Sequence, residues 1–384
     1  MLRPRSLLRF PFSALAIALL AGCFQGRSFA QELQPESPRH SDSHPTGTFN
    51  GAETKISSLP VPSGMTAYDP FFSEGWAYWE RDYLVHIEPR SPRVDLYDKD
   101  KVRASIKVVI PGYSDFTETD ATVTRDGHLL VSGCSRADVG GKIHCFIGTA
   151  SPDGHVSPIV DTGRFAPVGI STCDGENVWA MGWLRAPPYF DRESEKPYNV
   201  LRLYRLGDGK MIESELPRSS FPRRSRPAPA GRSPELTMQC RGTTLGIYEG
   251  ASDEWIEYDA ATSKLTRWKL LGQIQSHHFA QYDSAGKLLH FPVHATFITG
   301  VAMLDSGEVY ASFVHQARDG SAPVSTGLFR LQKSGGQAAW LPVDGALGSA
   351  AKEGTFDELC GTDGKNLVYS RFGEHHWFFS SPPQ

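Results

Sequence analysis

The chain has 384 residues, 40% of them hydrophobic and 11% aromatic, which is enough for one large buried core and does not require two domains. Its 39 basic and 43 acidic residues nearly cancel, at a net charge of −4. Nothing in that balance suggests a nucleic-acid partner, which is usually held by a strongly basic face.

The first 30 residues read as an export signal. Arg3, Arg5 and Arg9 precede a short apolar run from Phe12 to Leu20, which is too short to span a bilayer. Two cleavage readings stand side by side. Leu20-Ala21-Gly22-Cys23 resembles the lipobox of bacterial lipoproteins, which would make Cys23 the lipidated first residue of the mature chain. Ser28-Phe29-Ala30 offers small residues at the −3 and −1 positions of an ordinary signal-peptidase site. Either reading takes the protein out of the cytoplasm, as a periplasmic or outer-membrane lipoprotein or as a secreted protein. Residues 31–55 are rich in Ser, Pro, His, Thr and Gly and poor in large apolar residues, so they read as a flexible tether. Residues 56–384 are expected to form the folded domain.

Within that domain one pattern recurs: an apolar strand, a Gly-centred turn and a second β-rich strand. It is found at 120–133, 169–182, 235–248, 301–313 and 358–370, with turn glycines Gly127, Gly175, Gly242, Gly307 and Gly364. A second kind of hairpin, alternating apolar and polar residues about a polar turn, lies at 142–160, 199–216, 253–270 and 327–341, with an earlier copy at 83–97. Two hairpins make four strands. Residues 279–294 read as an extra hairpin or as part of a further unit. Residues 372–379 begin an outer strand that residues 55–62 could help to complete.

Stacked all-β units of this length predict an all-β fold, a single β-propeller of four-stranded antiparallel sheets, with six blades as the expectation and seven as the alternative. The Asp-Gly turns resemble those of NHL-type and gluconolactonase-type six-bladed propellers over roughly residues 60–384. The motif is generic, so the resemblance implies a fold and no activity.

Five cysteines follow Cys23. Cys134 ends one strand and Cys145 opens the next, so a disulfide between them is expected in an oxidising compartment. Cys173, Cys240 and Cys360 share one register before the Gly turn, which points to a packing role between blades.

No Gly-x-Ser-x-Gly, His-Glu-x-x-His or phosphate-cradling loop is present. Glu118, Asp120, Glu235, Asp357 and Glu358 lie on or beside inner strands, where converging carboxylates could bind Ca²⁺ or act as general acid and base. Solvated carboxylates or turn hydrogen bonds are the plainer reading, and no cofactor is required. His277, His290, His294 and His315 crowd one stretch and could ligate Zn²⁺, although packing is the commoner use of such residues. Trp183 and Tyr189 lie at a strand end and in the 185–198 insertion, where they would suit an exposed stacking surface. The 217–234 insertion is rich in arginine, including Arg223, Arg224 and Arg226, and holds no acidic residue. It reads as a solvated loop or as a contact for an anionic partner.

Two functions follow from these readings. One is a monomeric, non-catalytic envelope propeller that binds a protein, peptide or glycan and meets the membrane only through its lipid anchor. The other is a hydrolase or lactonase with a metal ion or carboxylate cluster at the central channel.

Overall fold

The computed structural model describes residues 76–382 except 82, 89–92, 99–100, 108–112, 125, 138–141, 151–155, 187–188, 191–196, 222–235, 251, 253, 272–280, 283–287, 291–294, 317–323, 344–356 and 372–373. The chain folds as successive antiparallel meanders. The first is β1 (Trp76–Glu80), β2 (Tyr83–Glu88), β3 (Arg93–Asp98) and β4 (Lys101–Lys107). The second is β5 (Tyr113–Val123), β6 (Leu129–Ala137), β7 (Ile143–Ala150) and β8 (Val156–Gly163). The third is β9 (Phe165–Ser171), β10 (Asn177–Ala186), β12 (Asn199–Arg205) and β13 (Met211–Pro217), with the short strand β11 (Tyr189–Phe190) beside β10.

The fourth meander is β14 (Leu236–Arg241), β15 (Thr244–Glu249), β16 (Glu254–Asp259) and β17 (Lys264–Leu271). A small hairpin of β18 (Gln281–Tyr282) and β19 (Leu288–His290) follows at the stretch expected to hold an extra hairpin. The fifth meander is β20 (Ala295–Met303), β21 (Val309–Gln316), β22 (Val324–Ser334) and β23 (Gln337–Pro342). Last come β24 (Asp357–Thr362), β25 (Leu367–Arg371) and β26 (Glu374–Ser380). This is an all-β architecture of four-stranded antiparallel sheets of the propeller kind. Residues 55–62, expected to complete the last sheet, lie outside the described residues.

The Gly turns mark the first hairpin of a meander, as the sequence implies. The outer hairpin at 83–97 is a correction. Those residues form β2 and β3, the middle strands, because β1 precedes them and supplies the inner strand.

The turns are built by side chains. Thr172 Oγ1 donates to Asn177 O at 2.7 Å and accepts from Gly175 N at 2.9 Å. Asp174 Oδ1 accepts from the backbone N–H groups of Glu176 and Asn177. The same scheme recurs at Thr362, Asp363, Gly364 and Asn366. Gly175 and Gly364 sit at φ values of 80° and 99°, where a Cβ would be strained.

The first strand of each meander presents an edge to the next meander. Its outward N–H and C=O groups need partners. Buried side chains supply many of them. Glu80 Oε2 accepts from Thr122 Oγ1 at 2.8 Å and from Val123 N at 3.2 Å, joining the first meander to the second. Asp120 Oδ2 accepts from Ile170 N at 2.7 Å, joining the second to the third. A disulfide between Cys173 and Cys240 joins the third to the fourth. Gln239 spans to the fifth, donating to Val301 O at 2.9 Å and accepting from Met303 N at 2.5 Å. Arg241 Nε also donates to Met303 O, at 2.8 Å.

Ser312 Oγ accepts from Leu359 N at 3.0 Å, and Asp305 N donates to Gly364 O at 2.7 Å, joining the fifth meander to β24. At this joint Gly300 lies so close to the Leu359 carbonyl that an added Cβ would meet the oxygen at 1.8 Å. Finally β24 pairs in parallel with β1, Trp79 opposite Gly361 and Glu80 opposite Thr362. Apolar packing fills the spaces between. Trp179 of β10 meets Tyr258 of β16 at 4.7 Å between ring centres, and Tyr248 of β15 meets Trp340 of β23 at 6.4 Å. The fourth and fifth meanders are also joined at their outer strands, β17 pairing in parallel with β23.

Glu80 offers a direct test of such a joint. Glu80→Ala leaves a buried N–H and a buried hydroxyl without their acceptor and is expected to cost about 2 kcal/mol in thermal unfolding. Glu80→Gln keeps a side-chain oxygen and is expected to cost less than half of that, about 1 kcal/mol or below.

Candidate functional site

The inner strands carry the polar residues from which a central site would be built. β9 and β14 are buried along their whole lengths, on both faces. Asp120 is 0% exposed. Its carboxylate turns sideways to the β9 backbone, so it is a joint residue and not an acid open to a channel, which corrects the sequence reading. Ser132, its partner on β6 of the same meander, donates from Oγ to Asp120 O at 3.2 Å. Gln239 and Arg241 are likewise turned to the neighbouring meander. Arg241 also reaches Asp305, with 3.6 Å between Nε and Oδ1.

The backbone of Glu118 lies in β5, opposite Gly133, and the backbones of Asp357 and Glu358 lie in β24, opposite Arg371 and Ser370. Glu235, His277, His294, Arg223, Arg224 and Arg226 lie outside the described residues, as does Cys23. The backbone of His290 is in β19 opposite Gln281, and that of His315 is in β21 opposite Thr296. Among the described residues no group of three or more His, Cys, Asp or Glu is placed to hold a metal ion.

Cys134 and Cys145 face each other directly across β6 and β7 and form a disulfide, with Cα atoms 4.0 Å apart. Both are almost fully buried. Cys360 belongs to neither disulfide; its half-buried thiol donates to Val368 O.

Trp183 is a correction of another kind. Its side chain is 3% exposed, not a surface platform. Phe221 packs edge-on against its ring at 6.1 Å between centres, and the Arg218 guanidinium lies over that ring at 5.0 Å. Arg267 lies over Phe221 at 4.9 Å and is paired with Glu254. Arginine over an aromatic face is attracted by the ring's negative π surface. This cluster therefore seals the third meander against the fourth. The backbone of Tyr189 pairs with Ala186 in the short β10–β11 ladder.

Three aspartates of the turns are held in their charged form. The Thr124 hydroxyl, helped by His128, holds Asp126 below the ordinary carboxylate range. The backbone N–H of Lys210, with the charges of Arg205 and Lys210, does the same for Asp208. The Thr262 hydroxyl and the Ala261 N–H do so for Asp259. A carboxylate whose folded value is lowered stabilises the fold above its unfolded value, and that contribution is lost as the pH falls through the folded value. The melting temperature is therefore expected to be flat from neutrality to about pH 5 and to fall below about pH 4. Melting curves across that range check this. A fall beginning near pH 6 would contradict it.

No protein-family model matches the sequence, and no curated protein is similar to it. Solved structures with a similar fold are propellers of several kinds. A glucose dehydrogenase aligns with a TM-score of 0.40 at 11% identity, covering 81% of this chain and 97% of that one. A gluconolactonase from Xanthomonas campestris aligns with a TM-score of 0.38 at 15% identity, over 80% and 86%. The RRP9 WD40 repeats align with a TM-score of 0.40 at 9% identity, over 80% and 98%. A dehydrogenase, a lactonase and a set of WD40 repeats stand together here, and likeness at this level carries no argument about activity.

Proposed function

We propose that this chain is an extracytoplasmic, six-bladed β-propeller that serves as a binding scaffold for an envelope protein, peptide or glycan. The observation that carries the reading is the use made of the inner-strand polar side chains. Glu80, Asp120, Gln239 and Arg241 are all buried and all bond the backbone of the neighbouring meander. They hold the ring together and are not free to take part in proton transfer or metal binding at its centre. Six blades are supported by the run of joints, which passes from the first meander through the fifth to β24 and returns from β24 to β1. Two disulfides support an oxidising compartment. Retention at the envelope through lipidated Cys23 is part of the same reading.

Topology favours one face for the partner. In a meander the first and third connections lie at one end and the second connection and the exit lie at the other. The short Gly turns occupy the first end. Residues 187–196, 222–235, 317–323 and 344–356 bridge described strands whose near ends are at the second. Long connections between the strands of a scaffold are a common place for binding segments.

The test is to export the full chain, purify it and measure both binding and turnover. Saturable binding to one class on arrays of envelope glycans and peptides is expected, without hydrolysis of lactone or ester substrates in the presence of Ca²⁺ or Zn²⁺. Metal-dependent turnover well above the blank would overturn the reading in favour of a hydrolase or lactonase. Cys23→Ala is expected to abolish labelling by a lipid analogue, and retained label would remove the anchor.

A further inference from the structure

The joints around the ring are not chemically alike. At most of them a buried side chain bonds the neighbouring backbone, a link that no mild reagent removes. The joint between the third and fourth meanders instead contains the Cys173–Cys240 disulfide. Beside it the β9 backbone lies flush on the next blade: a Cβ at Gly169 would meet Met238 Sδ at 3.0 Å and Leu236 Cδ2 at 3.3 Å.

The two disulfides also differ in access. Cys134 is 2% exposed and Cys145 is 0% exposed, so both sulfurs lie inside the second meander. Cys240 is 2% exposed, but Cys173 is only half-buried and adjoins the turn of Asp174 and Gly175, with Asp174 exposed. Thiol–disulfide exchange needs a thiolate to reach one sulfur of the bond, so access governs which bond yields.

We infer that Cys173–Cys240 is a reducible latch on the ring, which opens under a dithiol reductant while Cys134–Cys145 stays oxidised, and whose opening loosens the seam between β9 and β14. The chemistry balances with the reductant alone. One thiolate of dithiothreitol attacks Cys173 Sγ and the Cys240 thiolate leaves. The second dithiothreitol thiolate then attacks its own partner sulfur in the mixed disulfide, releasing the Cys173 thiolate. The dithiol is oxidised to its cyclic disulfide, two electrons pass to the protein, and the two thiolates take up protons. The β17–β23 pairing and the Gln239 and Arg241 bonds keep the fourth and fifth meanders together. Opening is therefore confined to the seam on the other side of the fourth meander.

The experiment titrates the folded, full-length protein with dithiothreitol, traps thiols with iodoacetamide and locates the label by mass spectrometry. Hydrogen exchange is measured on the same samples. Cys173 and Cys240 are expected to label at reductant concentrations that leave Cys134 and Cys145 unlabelled. Amides of β9 and β14 are expected to exchange about tenfold faster or more, with β5, β20 and β24 changing less than about twofold. Prior or simultaneous labelling of Cys134 and Cys145 would overturn the inference. So would reduction of Cys173–Cys240 with unchanged exchange in β9 and β14. The reduced wild-type chain needs no substitution to fold, so either outcome can be read even if a cysteine variant does not accumulate.

Discussion

Replacing Cys173 and Cys240 together by alanine is expected to cost about 4 kcal/mol, the loop-closure entropy returned to an unfolded chain when a cross-link of this span is lost. The bond joins residues with a sequence separation of 67, against 11 for Cys134 and Cys145. In a chain of this size the loss corresponds to a fall in melting temperature of roughly 5 °C. Differential scanning calorimetry of the oxidised wild type and the double variant measures it. The wild type in excess reductant is expected to fall by at least as much. A change of under about 1 kcal/mol would mean that packing of Met238 and Leu236 on Gly169 suffices to hold the seam.

The second large effect is at Asp120. Asp120→Ala leaves Ile170 N without an acceptor where water does not reach, and a buried donor stripped of a charged partner costs about 3 kcal/mol. Asp120→Asn keeps an oxygen for that donor and is expected to cost about 1 kcal/mol. The distinguishing measurement is local. Exchange of the Ile170 amide should accelerate in the alanine variant and stay close to wild type in the asparagine variant. If both variants lose catalytic turnover of some substrate while stability is unchanged, Asp120 is not a joint residue.

The Gly turns and the cysteine pairs show how much of the fold was legible in the sequence. Gly127, Gly175, Gly242, Gly307 and Gly364 were picked out by the strand–turn–strand pattern, and all have positive φ. A tight turn demands a local conformation, and local demands are written in local sequence. The Cys134–Cys145 pair was legible for the same reason, since both residues belong to one hairpin. Cys173 and Cys240 revealed only a shared register. Their pairing depends on how closely two blades approach, which spacing along the chain does not encode.

The candidate site was harder to read, for related reasons. Alternation along a strand tells which residues share a face, but not whether a carboxylate will turn toward the ring axis or toward the next blade. Asp120 turned toward the next blade. Trp183 sits at the end of β10, where exposure is a fair expectation, yet Arg218 and Phe221 arrive from far along the chain to cover it. Glu80, Gln239 and Arg241 were not singled out at all. A polar residue within an inner strand beside a Gly turn is the signal that could have found them.

The most direct test is to map the disulfides of the protein recovered from exporting cells, by mass spectrometry of a non-reduced digest. The ring joints and the proposed extracytoplasmic address together predict Cys134–Cys145 and Cys173–Cys240 as the bonded pairs, with Cys360 in neither. Cys173 or Cys240 bonded to Cys360, or both recovered as free thiols, would contradict the placement of the third and fourth meanders as neighbours held by a covalent joint.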